Sequence, residues 1–214
     1  MTTLALVAAS GLAGEVANAA TGYDEIVVFD DDHERWGSTV GGAKVLGPVE
    51  LVADCRADLA ICTGSGRVRR RLLERLLSYG VAPERFATVV HPDASVAAGC
   101  EVGAGSILLA GVRLTSQVSI GRHVVVMPNA VLTHDDIVGD HTTICAGETL
   151  GGEVVIGEAA YLGMSSSVRQ RTSVGADAVL GMGAVLLEDL PAGETWAGVP
   201  ARPVNRRTSL VMDG

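Results

Sequence analysis

Aromatic side chains are scarce, at 3 % of the chain. An ordinary sandwich core leans on such residues, so the interior here must come from aliphatic packing. Basic residues are also short, 16 against 25 acidic, and the net charge of −9 argues against a nucleic-acid partner. The four cysteines, Cys55, Cys62, Cys100 and Cys145, form no CxxC pair and no zinc spacing. A reducing, cytoplasmic setting fits them. No apolar run approaches the roughly 20 residues of a membrane span. The apolar stretch Leu4 to Ala9 lacks a basic flank and soon meets Glu15, so it is expected to be a first strand rather than a signal peptide.

Glycine and aliphatic residues are what the chain has. From Val90 through Val96, Val102 and Leu108 to Leu180 and Leu186, every sixth residue is aliphatic, without an insertion. Glycine follows that residue at 103, 121, 139, 151, 157, 163, 175 and 181. Four places after it sit small or β-branched residues, such as Ala130, Thr142, Val154 and Ala160. A helix shows period 3.6 and a plain strand period 2. Period six predicts a hexapeptide β-helix, three hexads to a triangular coil, with residues 18 apart stacked about 4.8 Å from each other. Each coil buries its apolar edge only against its neighbours. The glycines are expected at corners that need positive φ. Cys100 falls at the small inward position and reads as core filler.

Residues 1–88 alternate in type instead. Strands are expected at Leu4–Ala9, Glu25–Phe29, Lys44–Leu46, Leu59–Thr63 and Phe86–Val89, with helices at Leu12–Ala20 and Arg67–Tyr79. That order implies a small parallel sheet flanked by helices, a Rossmann-like α/β unit. The boundaries expected are 1–88 for this unit and 89–214 for the coil with its C-terminal cap.

The first strand-to-helix turn carries Ser10 and Gly11, whose amides can hold a phosphate at the helix N-terminus. Asp30, Asp31 and Asp32 close the second strand about 20 residues on, where a ribose hydroxyl is often held. Ala8 stands where the first Gly of a GxGxxG would be, so a nucleotide-sugar site fits better than a dinucleotide site. The bland alternative is a tight turn and a solvated acidic loop. A second turn, Gly64-Ser65-Gly66-Arg67, opens on the same sheet edge. Arg67 there can meet a phosphate, while Arg69, Arg70, Arg71 and Arg75 equally suit a plain solvated helix face.

Titratable residues crowd one part of the coil, Thr133-His134-Asp135-Asp136-Ile137-Val138-Gly139-Asp140-His141. His134 and Asp135 fall at a corner, and an imidazole beside a carboxylate is a general base with an orienting partner. Asp136, Thr142 and Glu148 share the inward position in three successive hexads. They are expected in one layer, as a carboxyl pair bridged by Thr142 or water, because two buried carboxyls cannot cheaply both ionise. His123 and His141 are 18 apart and should stack, but a third ligand is not obvious, so no metal is expected. After Leu186 the period stops, and Trp196 is expected to pack over the last coil.

His134-Asp135, Val138-Gly139-Asp140-His141, Leu150-Gly151-Gly152 and Gly198-Val199-Pro200-Ala201-Arg202 resemble one bacterial group of sugar acyltransferases. These are the hexapeptide-repeat O/N-acyltransferases of the sialic-acid O-acetyltransferase (NeuD) and UDP-4-amino-sugar N-acetyltransferase (PglD) type. Ala9-Ser10-Gly11, Phe29-Asp30-Asp31-Asp32, Val45-Leu46-Gly47 and His91-Pro92 extend the resemblance over the N-terminal half. The resemblance implies a left-handed coil, a homotrimer, and acetyl-CoA in the groove between neighbouring coils. It implies a nucleotide-linked amino sugar reaching from the N-terminal unit to that groove. His134 would take a proton from the sugar amine, with Asp135 holding the imidazole. The Gly152 amide would donate to the thioester oxygen. Ala201 and Arg202 would lie near the coenzyme, with Arg206 or Arg207 as further phosphate contacts. Thr143 stands where the family has a second histidine, and Leu12 where it has one in the first turn. The function expected is acetyl-CoA-dependent N-acetylation of a nucleotide-linked amino sugar. The alternatives are O-acetylation of a sialic-acid-type sugar, or a non-catalytic trimer that binds sugar nucleotides.

Overall fold

The structure, a computed structural model, describes residues 1–204. The first part is an α/β unit. Strand β1 (Thr3–Val7) leads into helix α1 (Gly11–Ala19), then β2 (Glu25–Phe29), β3 (Thr39–Val40), β4 (Ala43–Gly47), β5 (Asp58–Ile61) and helix α2 (Gly66–Ser78). The sheet order is β3-β4-β2-β1-β5, with only β3 antiparallel. Strands β1 and β5 are almost wholly buried and apolar, as strands covered on both faces must be. The expected strand at Phe86–Val89 does not belong to this sheet. Phe86 makes a single bridge to Leu59, and Val89–Val90 pairs with Ile107–Leu108 of the first coil. Val89, the last residue of that stretch, starts the coil, and the sheet ends at β5.

Residues from Val89 onward form a three-sided parallel β-helix. Partners in each wall are 18 residues apart, for example Val131 with Thr149 and Ile137 with Val155. The aliphatic series points inward and is buried from Leu108 to Leu186, together with Ala130, Thr142, Val154, Ala160, Ser166, Ala178 and Ala184. Val90 and Val96 stay partly exposed because no coil covers them. Trp196 is buried against the final turns and pairs with Leu180.

The glycines that follow the aliphatic residue are not where φ is positive. Positive φ falls two places later, at Gly105, His123, Asn129, Asp135, His141, Glu153 and Arg171 among others. The glycines at 103, 139 and 157 lack a Cβ for want of space. A Cβ there would press into the backbone of the next coil, as at Gly139, 2.7 Å from the Glu158 nitrogen. Close stacking, not dihedral freedom, selects glycine at that position.

Helix α2 binds the two parts together. Ser65 caps it, accepting from Val68 N at 3.5 Å. Gly66 leaves no room for a side chain over the His141 carbonyl. Arg67 pairs with Asp177 at 2.7 Å and Arg70 with Glu158 at 3.0 Å. Arg69 is fully buried. Its guanidinium donates to the carbonyls of Thr63 (2.5 Å), His123 (2.6 Å), His141 (2.7 Å) and Thr142 (2.9 Å), and to Thr143 Oγ1 (3.1 Å). The solvated helix face expected from the arginine run is therefore a seam against the coil. Burial pulls the Arg69 guanidinium down to about 9. Beside it His123 and His141 stack with ring centroids 5.4 Å apart, and Phe86 meets His123 edge-on at 5.1 Å. Burial lowers His123 to about 4, helped by His141 and Arg69.

The interior carboxyls are buried as expected but are not a pair. Asp136 accepts backbone amides from Thr133 and Val154, Thr142 donates to Gly157 O, and Glu148 Oε2 takes the Ser166 hydroxyl. Each side chain found a partner along its own wall, so none bridges the layer. Glu148 Oε1 has no partner. Burial pushes Glu148 up to about 8 from its ordinary 4.5, opposed by Ser166. A carboxyl raised on folding supports the fold below its unfolded value and loses that support as pH rises through the folded one. Glu148→Gln is expected to match the wild type near about pH 5 and to exceed it increasingly towards about pH 8. The buried histidines act in the opposite sense, losing support as pH falls below 6.5. Denaturant titrations of both proteins across that range would reveal the gap; a gap that stays constant with pH refutes the assignment.

Candidate active site

His134 lies on the corner between the wall of Val131–Leu132 and that of Ile137–Val138. Asp135 follows in the left-handed backbone region, with φ 61°. This corner conformation turns the aspartate back on the ring, and Nδ1 of His134 sits 2.8 Å from Asp135 Oδ2. Both side chains are more than half exposed, at 58 % and 57 %. Such a pair can hold one tautomer of the imidazole with Nε2 free to accept a proton.

Gly152 lies one coil further along the same corner. A Cβ there would collide with Nε2 and Cε1 of His134, so only glycine lets the ring rest on this turn. The Gly152 amide donates to no described residue, while its carbonyl accepts from Arg171 N at 3.0 Å. Eighteen-residue steps continue the column through Gln170 to Glu188. There Arg202 Nη1 meets Glu188 Oε1 at 2.7 Å. Three coil spacings put Arg202 about 14 Å along the corner from His134. Ala201 is buried and donates to Val185 O at 2.8 Å. Arg206 and Arg207 lie outside the described residues. The structure thus gathers His134, Asp135, Gly152, Ala201 and Arg202 on one side of the coil.

The remaining candidates lie at the carboxyl ends of β1, β2 and β5. Ser10 caps α1, accepting from Ala13 N at 3.3 Å and donating to Cys62 O at 2.6 Å. Gly11 is exposed and has open space where a Cβ would be. Ala8 takes φ 79°, the conformation for which a glycine would be suited. Asp30 accepts Ala9 N at 2.6 Å and Asp32 N at 2.8 Å. Asp31 accepts Val49 N at 3.1 Å and Arg75 Nη2 at 2.6 Å. Gly64 O takes the Thr143 hydroxyl at 2.7 Å. Thr143, standing where a second histidine was looked for, thus ties the Gly64 turn to the coil. Arg67 is held by Asp177 rather than left free for a phosphate.

Sequence reasoning missed Arg35 and Trp36, and it set Arg69 on a solvated face where the structure buries it. Arg35 Nη1 donates to Ala9 O at 2.5 Å and Trp36 Nε1 to Asp30 O at 2.8 Å, knitting the acidic loop to the first turn. The only sequence signal for these was their closeness to Asp30–Asp32. Among the described residues no group of three His, Cys, Asp or Glu could hold a metal ion. None of their helices is long and apolar enough to cross a membrane.

Solved structures share this architecture. The acetyltransferase domain of PglB from Neisseria gonorrhoeae FA1090 is 31 % identical, with TM-score 0.87, over 95 % of this chain and 100 % of that one. The same domain in complex with acetyl coenzyme A is 32 % identical, with TM-score 0.85, over 94 % and 98 %. PerB from Caulobacter crescentus, in complex with CoA and GDP-perosamine, is 26 % identical, with TM-score 0.86, over 96 % and 98 %. A scan against protein-family models finds no match. A search of curated proteins finds none either.

Proposed function

This chain belongs to the hexapeptide-repeat sugar N-acetyltransferases, and from that premise we propose that it moves the acetyl group of acetyl-CoA to the amine of a nucleotide-linked amino sugar. The observation that carries this reading is the His134–Asp135 pair resting on Gly152. The amine lone pair attacks the thioester carbonyl as His134 Nε2 accepts the amine proton. The Gly152 amide donates to the oxygen that becomes negative. Collapse of the tetrahedral intermediate breaks the carbon–sulfur bond, and the imidazolium returns the proton to the departing thiolate. Asp135 keeps the ring in the accepting tautomer and offsets its charge.

The coenzyme would run along the corner from His134 towards Ala201 and Arg202. The nucleotide would sit at Ser10, Gly11, Asp30, Asp31 and Gly64, where backbone amides gather at strand ends. In this reading residues 1–88 are a Rossmann-like nucleotide-sugar unit and residues 89–214 a left-handed β-helix acyltransferase unit with its C-terminal cap. The half-exposed imidazole is completed by the neighbouring protomer of a homotrimer working in the cytoplasm.

The test is thiol release from acetyl-CoA with UDP-, dTDP- and GDP-linked 4-amino sugars. Turnover of an amine supports the reading. Turnover of hydroxyl acceptors alone points to O-acetylation, and nucleotide binding without thiol release to a non-catalytic protein.

A further inference from the structure

One ladder position behaves uniformly along the coil. The residue after each inward aliphatic side chain, in six-residue steps from His91 to Arg169, donates its amide to the carbonyl 17 places on, and Gly175 and Gly181 in the closing turns still donate to main-chain carbonyls, of Leu190 and Trp196. Thr115 N donates to Leu132 O at 3.1 Å, and Gly151 N to Val168 O at 2.9 Å. Thr133 alone in this described series gives its amide to a side chain instead of a main-chain carbonyl. Its amide donates to Asp136 Oδ2 at 2.8 Å, and its hydroxyl donates to Leu150 O at 3.1 Å. The other oxygen of Asp136 accepts Val154 N at 2.9 Å. Asp136 is fully buried, at an inward position held elsewhere by Ala130, Ala160, Ala178 and Ala184.

We propose that Asp136 is a positioning residue for the acetyl transfer. It draws the Thr133 amide off the ladder, sets the turn that carries His134 and Asp135, and ties that turn to the coil that carries Gly152. The inference rests on the function proposed above. Thr133 immediately precedes His134, and Val154 lies two residues after Gly152, so one carboxylate spans both halves of the reacting corner. A buried carboxylate is costly where alanine would fill the space. The regular ladder bond is given up as well. Both losses fall at the one corner that bears the imidazole.

The charged groups that act on this carboxylate are His134 and Asp135 on its own corner. Glu148 is buried two hexads further on, held by Ser166, and the exposed Glu153–Arg171 pair on the adjoining coil lies beside His134 and Asp135. Burial raises Asp136 to about 6, while the amides of Val154 and Thr133 pull it back. Protonation would take an acceptor from one of the two amides and loosen the turn.

Asp136→Ala separates positioning from simple structural support. Alanine fits this phase and lets Thr133 N return to Leu150 O. The expected result is a fall in kcat of about 10²-fold, with both KM values within about twofold and a Tm equal to or above that of the wild type. The acid limb of kcat should also flatten, from loss of two protons to loss of one. Asp136→Asn, which keeps one acceptor, should fall between the two in kcat. Unchanged kcat in the alanine variant overturns the inference, as does a kcat loss that only follows loss of folded protein. No thiol release by the wild type would instead remove the acetyltransferase reading and this inference with it.

Discussion

Replacing His134 by Ala is expected to lower turnover by about 10²- to 10⁴-fold while leaving nucleotide binding intact. The size follows from losing the base that takes the amine proton, with the Gly152 amide and the bound geometry still present. His134 stands on a coil corner and donates to no core group, so its removal should not disturb folding. Asp135→Asn should cost less, since an amide can still hold Nδ1 but cannot offset the charge of the imidazolium. Steady-state kinetics with calorimetry of nucleotide binding gives both readouts. Full turnover in the alanine variant would take His134 out of the mechanism.

Arg69→Ala is expected to destabilise the protein by about 3–5 kcal/mol. Its guanidinium satisfies four backbone carbonyls and a hydroxyl across the seam between α2 and the coil. Alanine would leave the Thr63, His123 and His141 carbonyls without a donor among the described residues, while Thr142 O would keep the Val125 amide at 3.0 Å. At about 2–4 °C per kcal/mol for a chain of this length, Tm should drop by roughly 10 °C. Arg69→Lys should recover only part of this, because a single ammonium cannot fork across separate carbonyls. Arg70→Ala, which breaks an exposed pair with Glu158, should cost no more than about 1 kcal/mol. Thermal unfolding of the three variants tests the ranking; an Arg69→Ala protein as stable as Arg70→Ala would refute it.

The seam also bears on catalysis. The turns at Ser10 and Gly64 must face the coil at a fixed distance if a sugar is to reach His134. Thr143 and Arg69 hold the Gly64 turn and the neighbouring carbonyls together. Loss of Arg69 should therefore raise KM for the sugar nucleotide more than KM for acetyl-CoA. The coenzyme's proposed groove lies on a different corner.

Much of this was legible in the amino-acid order. An aliphatic residue at every sixth place can only be buried by a three-walled coil, since neither a helix nor a flat strand repeats at that period. That repeat also assigns each residue to a wall or a corner, so His134 above Gly152 and His123 above His141 follow from numbers 18 apart. Alternating strand and helix patterns likewise imply the parallel sheet. What only the tertiary structure decided were contacts between segments that share no repeat. The arginine run of α2 reads as a solvated face until the open carbonyls of a coil corner are set against it. The glycine after each aliphatic residue reads as a turn former until the next coil is seen to occupy the space of its Cβ. Asp136 reads as half of a carboxyl pair until the Thr133 amide is found to have left its ladder. Periodicity is a property of the chain with itself at fixed separation, and sequence carries it directly. Which donor meets which acceptor across 70 residues depends on how two finished surfaces close on each other, as with Arg69 and the His141 carbonyl.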